Sequence, residues 1–187
     1  MKHRGYIEGY YGRRLTWDQR REIVSCLREN GHETYIYAPK EDPFHRKSWK
    51  KDYQDAWFKN YNSFVSDSIS SGVRVIPALA PGLSFDYTDK TDQDTLIKKA
   101  LSLTCKTGAF ALLMDDIPAK LPEKACSHFA SLGEAHGRLL QDMSMELRGV
   151  EIFFCPTVYT DEFTENGILS SGYLKDLSEH IPDECVI

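Results

Sequence analysis

Apolar, β-rich runs alternate with longer stretches in which apolar residues recur at helical spacing, and the alternation repeats along all 187 residues. GYIEGYY (5–11), TYIYA (34–38), VRVIPALA (73–80), AFALLM (109–114) and VEIFFC (150–155) predict five strands, and ECVI (184–187) predicts the start of a sixth. Helical period predicts helices from Trp17 to Asn30, over 54–71, over 93–106, within 123–147 and near 170–179. The first of these has the best-marked ends. Thr16 and Gln19 stand at capping-box spacing, Ile23, Val24 and Leu27 form one apolar face, and Gly31 follows as a stop. Pro77 sits awkwardly inside the third strand, because proline cannot donate to a ladder.

Strand, helix, strand, with near-continuous apolar strands, means parallel pairing through right-handed crossovers, an α/β fold. A (β/α) barrel and an open doubly wound sheet both satisfy the pattern. No strand is followed by a glycine-rich phosphate loop, which counts against a nucleotide-binding fold. In either architecture, chemistry belongs at the carboxyl ends of the strands. A closed eight-stranded barrel takes about 250 residues, so residues 1–187 are expected to form a single partial barrel domain that stops after five to six strands.

Composition narrows the function classes. With 41% hydrophobic and 27% charged residues the chain is a globular protein, and its net charge of -5 argues against a nucleic-acid partner. The basic runs HRKSWKK (45–51) and GRR (12–14) read as solvated faces. No apolar window spans a bilayer and no signal-peptide core follows the first residues, so the expectation is a cytoplasmic protein with no membrane partner. Five cysteines without C-x-x-C spacing, and six histidines without a tight cluster, predict neither a disulfide framework nor a metal site. No cofactor is expected.

The strand ends carry the candidate chemistry: EGYYG, APKED, APGLSFD, MDDIPAK and CPTVYTDEF. Their polar and aromatic content suits a sugar better than a lipid. The adjacent carboxylates Asp115 and Asp116 stand out, since neighbours on a strand point to opposite faces and one must leave the strand for both to reach a common cleft. If both do, their repulsion raises the pKa of one and makes it a general acid, as glycoside hydrolysis requires. The bland alternative is a solvated turn or a helix cap. Lys40 is either a hydroxyl-binding cation or a surface lysine paired with Glu41 and Asp42. Tyr159 either presents its hydroxyl to a substrate or packs at a rim, and Gly9 and Gly12 mark either close ligand approach or a turn. Cys155 lacks a histidine partner nearby in sequence and reads as a buried apolar residue, and the aromatics of 48–58 read as packing.

Taken in order, RGYIEGYYG, TYIYAPKEDPFHR, APGLSFDYTD, ALLMDDIPAK and FFCPTVY resemble successive strand-end motifs of glycoside hydrolase family 84, the family of protein O-GlcNAcases and bacterial β-N-acetylglucosaminidases. The resemblance runs from about Arg4 to Tyr159. It implies a (β/α)8 barrel of the TIM type that removes terminal β-linked N-acetylglucosamine from a glycoprotein or glycan with retention of configuration. The sugar's own acetamido oxygen then serves as nucleophile and forms an oxazoline. Carried over by position, Asp115 orients the acetamide, Asp116 is the general acid and then the base, Tyr159 contacts the acetamido pocket, and Lys40 with the carbonyl of Gly9 holds sugar hydroxyls. Tyr10 stands where the family usually has phenylalanine. Sugar-binding residues that the family supplies from later strands have no counterpart before Ile187. The competing expectation is an inactive fragment or pseudoenzyme that at most binds N-acetylglucosamine conjugates.

Overall fold

The computed structural model describes residues 3–164 and 167–187. Five strands, β1 (Gly5–Glu8), β2 (Thr34–Tyr37), β3 (Arg74–Leu79), β4 (Ala109–Leu113) and β5 (Glu151–Cys155), pair in parallel in their sequence order. The crossovers carry α1 (Trp17–Glu29), α2 (Asp55–Ser70), α3 (Lys90–Thr104) and α4 (Leu132–Glu146), and α5 (Gly172–His180) follows β5. Strand order decides between the two architectures. A doubly wound sheet reverses its direction of growth at a switch point, whereas here each strand adds beside the last, which is barrel progression.

The two faces of the sheet follow from alternation. Tyr35, Tyr37, Val75, Leu79, Phe110, Leu112, Ile152 and Phe154 face outward and pack with helix residues such as Val24, Phe64, Leu96 and Leu140. The inner face is built mainly from alanines on or just past the strands, Ala38, Ala78, Ala80, Ala109 and Ala111, with Ile76 and Leu113, and its core includes no helix residue among those described. Each buried leucine or phenylalanine contributes about 1.5–3 kcal/mol, so the outer layer holds the sheet. Between β1 and β5 the inner face opens as a groove of about 1220 Å³ lined by Ile7, Ile36, Leu113, Phe153 and Cys155.

Several predicted boundaries move. β1 ends at Glu8, because its partner β2 stops at Tyr37 opposite it and Pro39 follows. Pro77 is tolerated where β3 changes partners, facing the last paired residue of β2, with the β4 ladder starting at Ala78. α3 starts three residues earlier than its period predicts, since the Asp89 side chain accepts the Thr91 N–H. The helix predicted within 123–147 begins only at Leu132. Ser131 caps it, and Glu134 reaches back to the Ala130 N–H at 2.7 Å. The predicted sixth strand is reduced to one parallel bridge between Phe153 and Val186, with N–H to carbonyl distances of 2.8 and 2.9 Å.

Candidate active site

The end of β4 is pinned before it turns. Met114 points outward into the core, donates its N–H to the Cys155 carbonyl at 2.9 Å, and receives the Thr157 hydroxyl on its own carbonyl at 2.7 Å. Alternation brings Asp115 to the inner face, and the chain bends at Asp116. That bend lets two neighbours share one cation. The Lys40 ammonium, delivered by the turn after β2, lies 2.9 Å from Oδ2 of Asp115 and 2.9 Å from Oδ2 of Asp116.

Lys40 is therefore not a surface lysine paired with Glu41 and Asp42. It is 5% exposed and binds carboxylates 75 and 76 residues away. The expected consequence of carboxylate repulsion also changes. Burial pushes the Asp116 carboxyl up, but hydrogen bonds from Tyr11 and Lys40 and the charge of Arg46 outweigh it and hold the group below the usual carboxylate range. Burial likewise opposes the Lys40 charge, and its bonds to Asp116 and Asp115 more than compensate, raising it. Asp116 is thus held ionised beside the ammonium that it shares with Asp115. One buried acceptor of the pair is left over: among the described residues, Oδ1 of Asp115 has no hydrogen-bond partner.

Two side chains that the sequence reading did not single out complete the arrangement. Tyr11, on the turn after β1, donates its hydroxyl to Oδ2 of Asp116 at 2.6 Å. Gly12 supports that turn with φ of 113°, a left-handed conformation, so its glycine serves the backbone. Arg46 donates to the Tyr11 hydroxyl at 2.9 Å and to the Asp116 carbonyl at 3.4 Å, with Nη2 3.7 Å from Oδ2 of Asp116. The run 45–51 is thus only partly a solvated face. Lys47 and Lys51 are exposed, but Arg46 is buried and aimed at the pair.

A family model described as beta-N-acetylglucosaminidase matches residues 4–187. The chain belongs to the beta-N-acetylglucosaminidase family. It is 31% identical to the protein O-GlcNAcases of Rattus norvegicus and Mus musculus over 180 residues, 95% of this chain and 20% of those proteins. The chain thus spans about a fifth of the length of these curated relatives. Its fold superposes on a mutant of the Thermobaculum terrenum O-GlcNAc hydrolase with a TM-score of 0.90 and 27% identity, covering 98% of this chain and 40% of that one.

In this member of the beta-N-acetylglucosaminidase family Gly9 and Tyr159 follow β1 and β5 at the same end of the sheet, and among the described residues neither hydrogen-bonds the carboxylate pair. Gly9 directly follows β1 and does not adopt positive φ, so no turn requirement explains it. Tyr159 is 49% exposed on the loop after β5, edge-on to Phe163 at 5.3 Å, and lines the apolar groove. Cys155 is half-buried, and burial pushes its thiol up to about 11, which fits the apolar reading. Trp49 and Tyr53 are buried, and Tyr53, Trp57 and Tyr61 stack at 3.6 and 4.7 Å, so that aromatic run is packing. Among the described residues, no group of three His, Cys, Asp or Glu side chains is placed to hold a metal ion, and no helix is long and apolar enough to cross a membrane.

Proposed function

We propose that residues 1–187 are the N-terminal part of a barrel catalytic domain that hydrolyses terminal β-linked N-acetylglucosamine from a glycoprotein or glycan. Configuration is retained, and the substrate's acetamido oxygen is the nucleophile, giving an oxazoline. The observation that carries this reading is the adjacent carboxylate pair on one ammonium, with Oδ1 of Asp115 buried and without a partner among the described residues. An orphaned acceptor costs about 1–3 kcal/mol, and an acetamide N–H is the donor that would relieve it. Asp115 would then orient the acetamide and balance the positive charge that develops on it.

Asp116 would protonate the leaving oxygen and later activate water. In the unliganded site it is ionised, so it must gain a proton first. Lys40 supplies the means. A sugar hydroxyl that takes the ammonium removes one of the donors holding Asp116 charged, and its affinity for a proton rises. The Gly9 carbonyl would hold a hydroxyl beside Lys40, and Tyr159 would close the acetamido side.

The test is release of chromophore from an aryl β-N-acetylglucosaminide by the full-length protein, with the anomer formed first read by proton NMR. The β-anomer is expected. The α-anomer as first product excludes the retaining mechanism, and binding of an oxazoline-like inhibitor without turnover replaces the enzyme by a sugar-binding remnant.

A further inference from the structure

The segment 42–51 is held more firmly than a connecting turn needs. Asp42, wholly buried, accepts the hydroxyls of Tyr37 and Tyr53 at 2.7 and 3.2 Å and the Phe44 N–H at 2.9 Å. The Lys99 ammonium, reaching in from α3, donates to the carbonyls of Phe44, Trp49 and Lys51 at 2.8, 2.7 and 2.5 Å. His45 bonds the Ala78 carbonyl through Nδ1 at 2.8 Å, and its own carbonyl accepts the Ala80 N–H at 2.9 Å. Residues on both sides of Arg46 are fixed to α3, β2 and the end of β3. The Arg46 side chain takes part in none of these anchors. It is 8% exposed and spends its donors on Tyr11 and the Asp116 carbonyl.

We propose that Arg46 is a positioning residue for Asp116, clamping it at its backbone carbonyl directly and at its carboxylate through the Tyr11 hydroxyl. The planar guanidinium suits this task, since one fork reaches two acceptors in fixed geometry, which a lysine cannot do. The Tyr11 phenol accepts from the guanidinium and donates to the carboxylate, and a donor polarised in this way makes the stronger bond. The guanidinium also lies 5.5 Å over the Tyr11 ring. The charged and titratable groups that face Asp116 are Lys40, Tyr11, Arg46, its neighbour Asp115 and, on β5, Cys155. This assignment rests on the reading of Asp116 as the acid, but its test does not require turnover.

The experiment is a carbon-13 carboxyl titration of Asp116 by NMR on this chain, comparing wild type with Arg46→Gln, Tyr11→Phe and the double variant. Arg46→Gln is expected to move the midpoint up by about one pH unit, as loss of a nearby opposite charge does. Tyr11→Phe moves it in the same direction, and the double variant moves it by less than the sum, because part of the Arg46 effect passes through the Tyr11 hydroxyl while the rest is the direct charge 3.7 Å from Oδ2. On full-length protein, the alkaline limb of kcat/KM for a substrate with a poor leaving group shifts up with it in Arg46→Gln. An unmoved midpoint in Arg46→Gln overturns the proposal, as do additive shifts in the double variant. Tyr11→Phe removes one oxygen from an exposed residue, so an unmoved midpoint there is equally fatal should Arg46→Gln not fold. If the midpoint moves and no variant or wild type hydrolyses substrate, the clamp stands and the assignment of hydrolysis fails.

Discussion

Two charged networks lie within one turn of the same sheet rim, and they differ in what they leave unpaired. In the first, Glu8 at the end of β1 takes both Arg20 donors at 2.8 Å and the Tyr35 hydroxyl at 2.7 Å. Both charges are buried, 1% and 4% exposed, and the guanidinium lies against the rings of Trp17 and Tyr37, 4.7 and 4.9 Å from their centroids. In the second, Lys40 serves two partly exposed carboxylates, and one carboxylate oxygen has no partner among the described residues. A satisfied, closed network holds α1 to β1. An unsatisfied one that faces solvent has capacity left for a ligand. Residue type alone does not distinguish them, since each is an acid–base–tyrosine cluster; what separates them is access and the spare acceptor.

The largest expected effect tests the closed network. Arg20→Met leaves Glu8 buried with its countercharge gone, which costs about 3–5 kcal/mol. Urea unfolding should show it, and a midpoint within error of wild type would make the pair dispensable. Lys40→Met should act in the opposite sense, with the fold kept and turnover by the full-length protein reduced by about 10²- to 10³-fold, the scale of losing one preorganised site donor. In the same variant the aspartate pair should titrate in two steps, one above the usual carboxylate range. Turnover retained in Lys40→Met would show that the pair does not depend on its cation.

Acid should then weaken the buried layer before it discharges the rim. Burial lowers His45 to about 4 and His136 to about 3. Unfolded histidine titrates near 6.5, so below that value the unfolded chain takes up protons that the folded chain refuses. Stability is present above pH 6.5 and falls as pH drops toward these folded values. The slope is about 1.4 kcal/mol per pH unit for each histidine. Unfolding free energies measured between pH 7 and 5 check this, and a flat profile would mean that neither ring is held neutral. The smallest effect belongs to the strut behind the site. Thr157→Val removes the hydroxyl from the Met114 carbonyl and should cost about 1 kcal/mol by thermal unfolding, with no rearrangement of the core.

Much of the fold was legible because its signals are local. Period identified β1 to β5 and α1 to α5, and the Thr16–Gln19 box marked α1 with both of its reciprocal bonds. Boundaries failed where a side chain several residues away intervened, as Glu134 does for α4, or where a partner strand stopped, as β2 does for β1. At the site, the Asp115–Asp116 pair was visible as an anomaly in the chain. Its cation, its phenol and its guanidinium come from loops that precede it by 70 to 105 residues, and nothing in a local window reports such pairing. The expected rise in pKa failed for the same reason: the repulsion was legible, and the pairing of both aspartates with Lys40 was not.

The most direct test of the account is the leaving-group dependence of hydrolysis by full-length Asp116→Ala. If Asp116 is the proton donor, kcat/KM, which reports only the step that expels the leaving group, should stay close to wild type for aryl β-N-acetylglucosaminides with acidic leaving groups. Those with poor leaving groups should fall by about 10²- to 10⁴-fold, the usual contribution of a positioned acid. An equal loss across all leaving groups, or none on the poorest, would contradict the assignment of Asp116 and with it the reading of the open network.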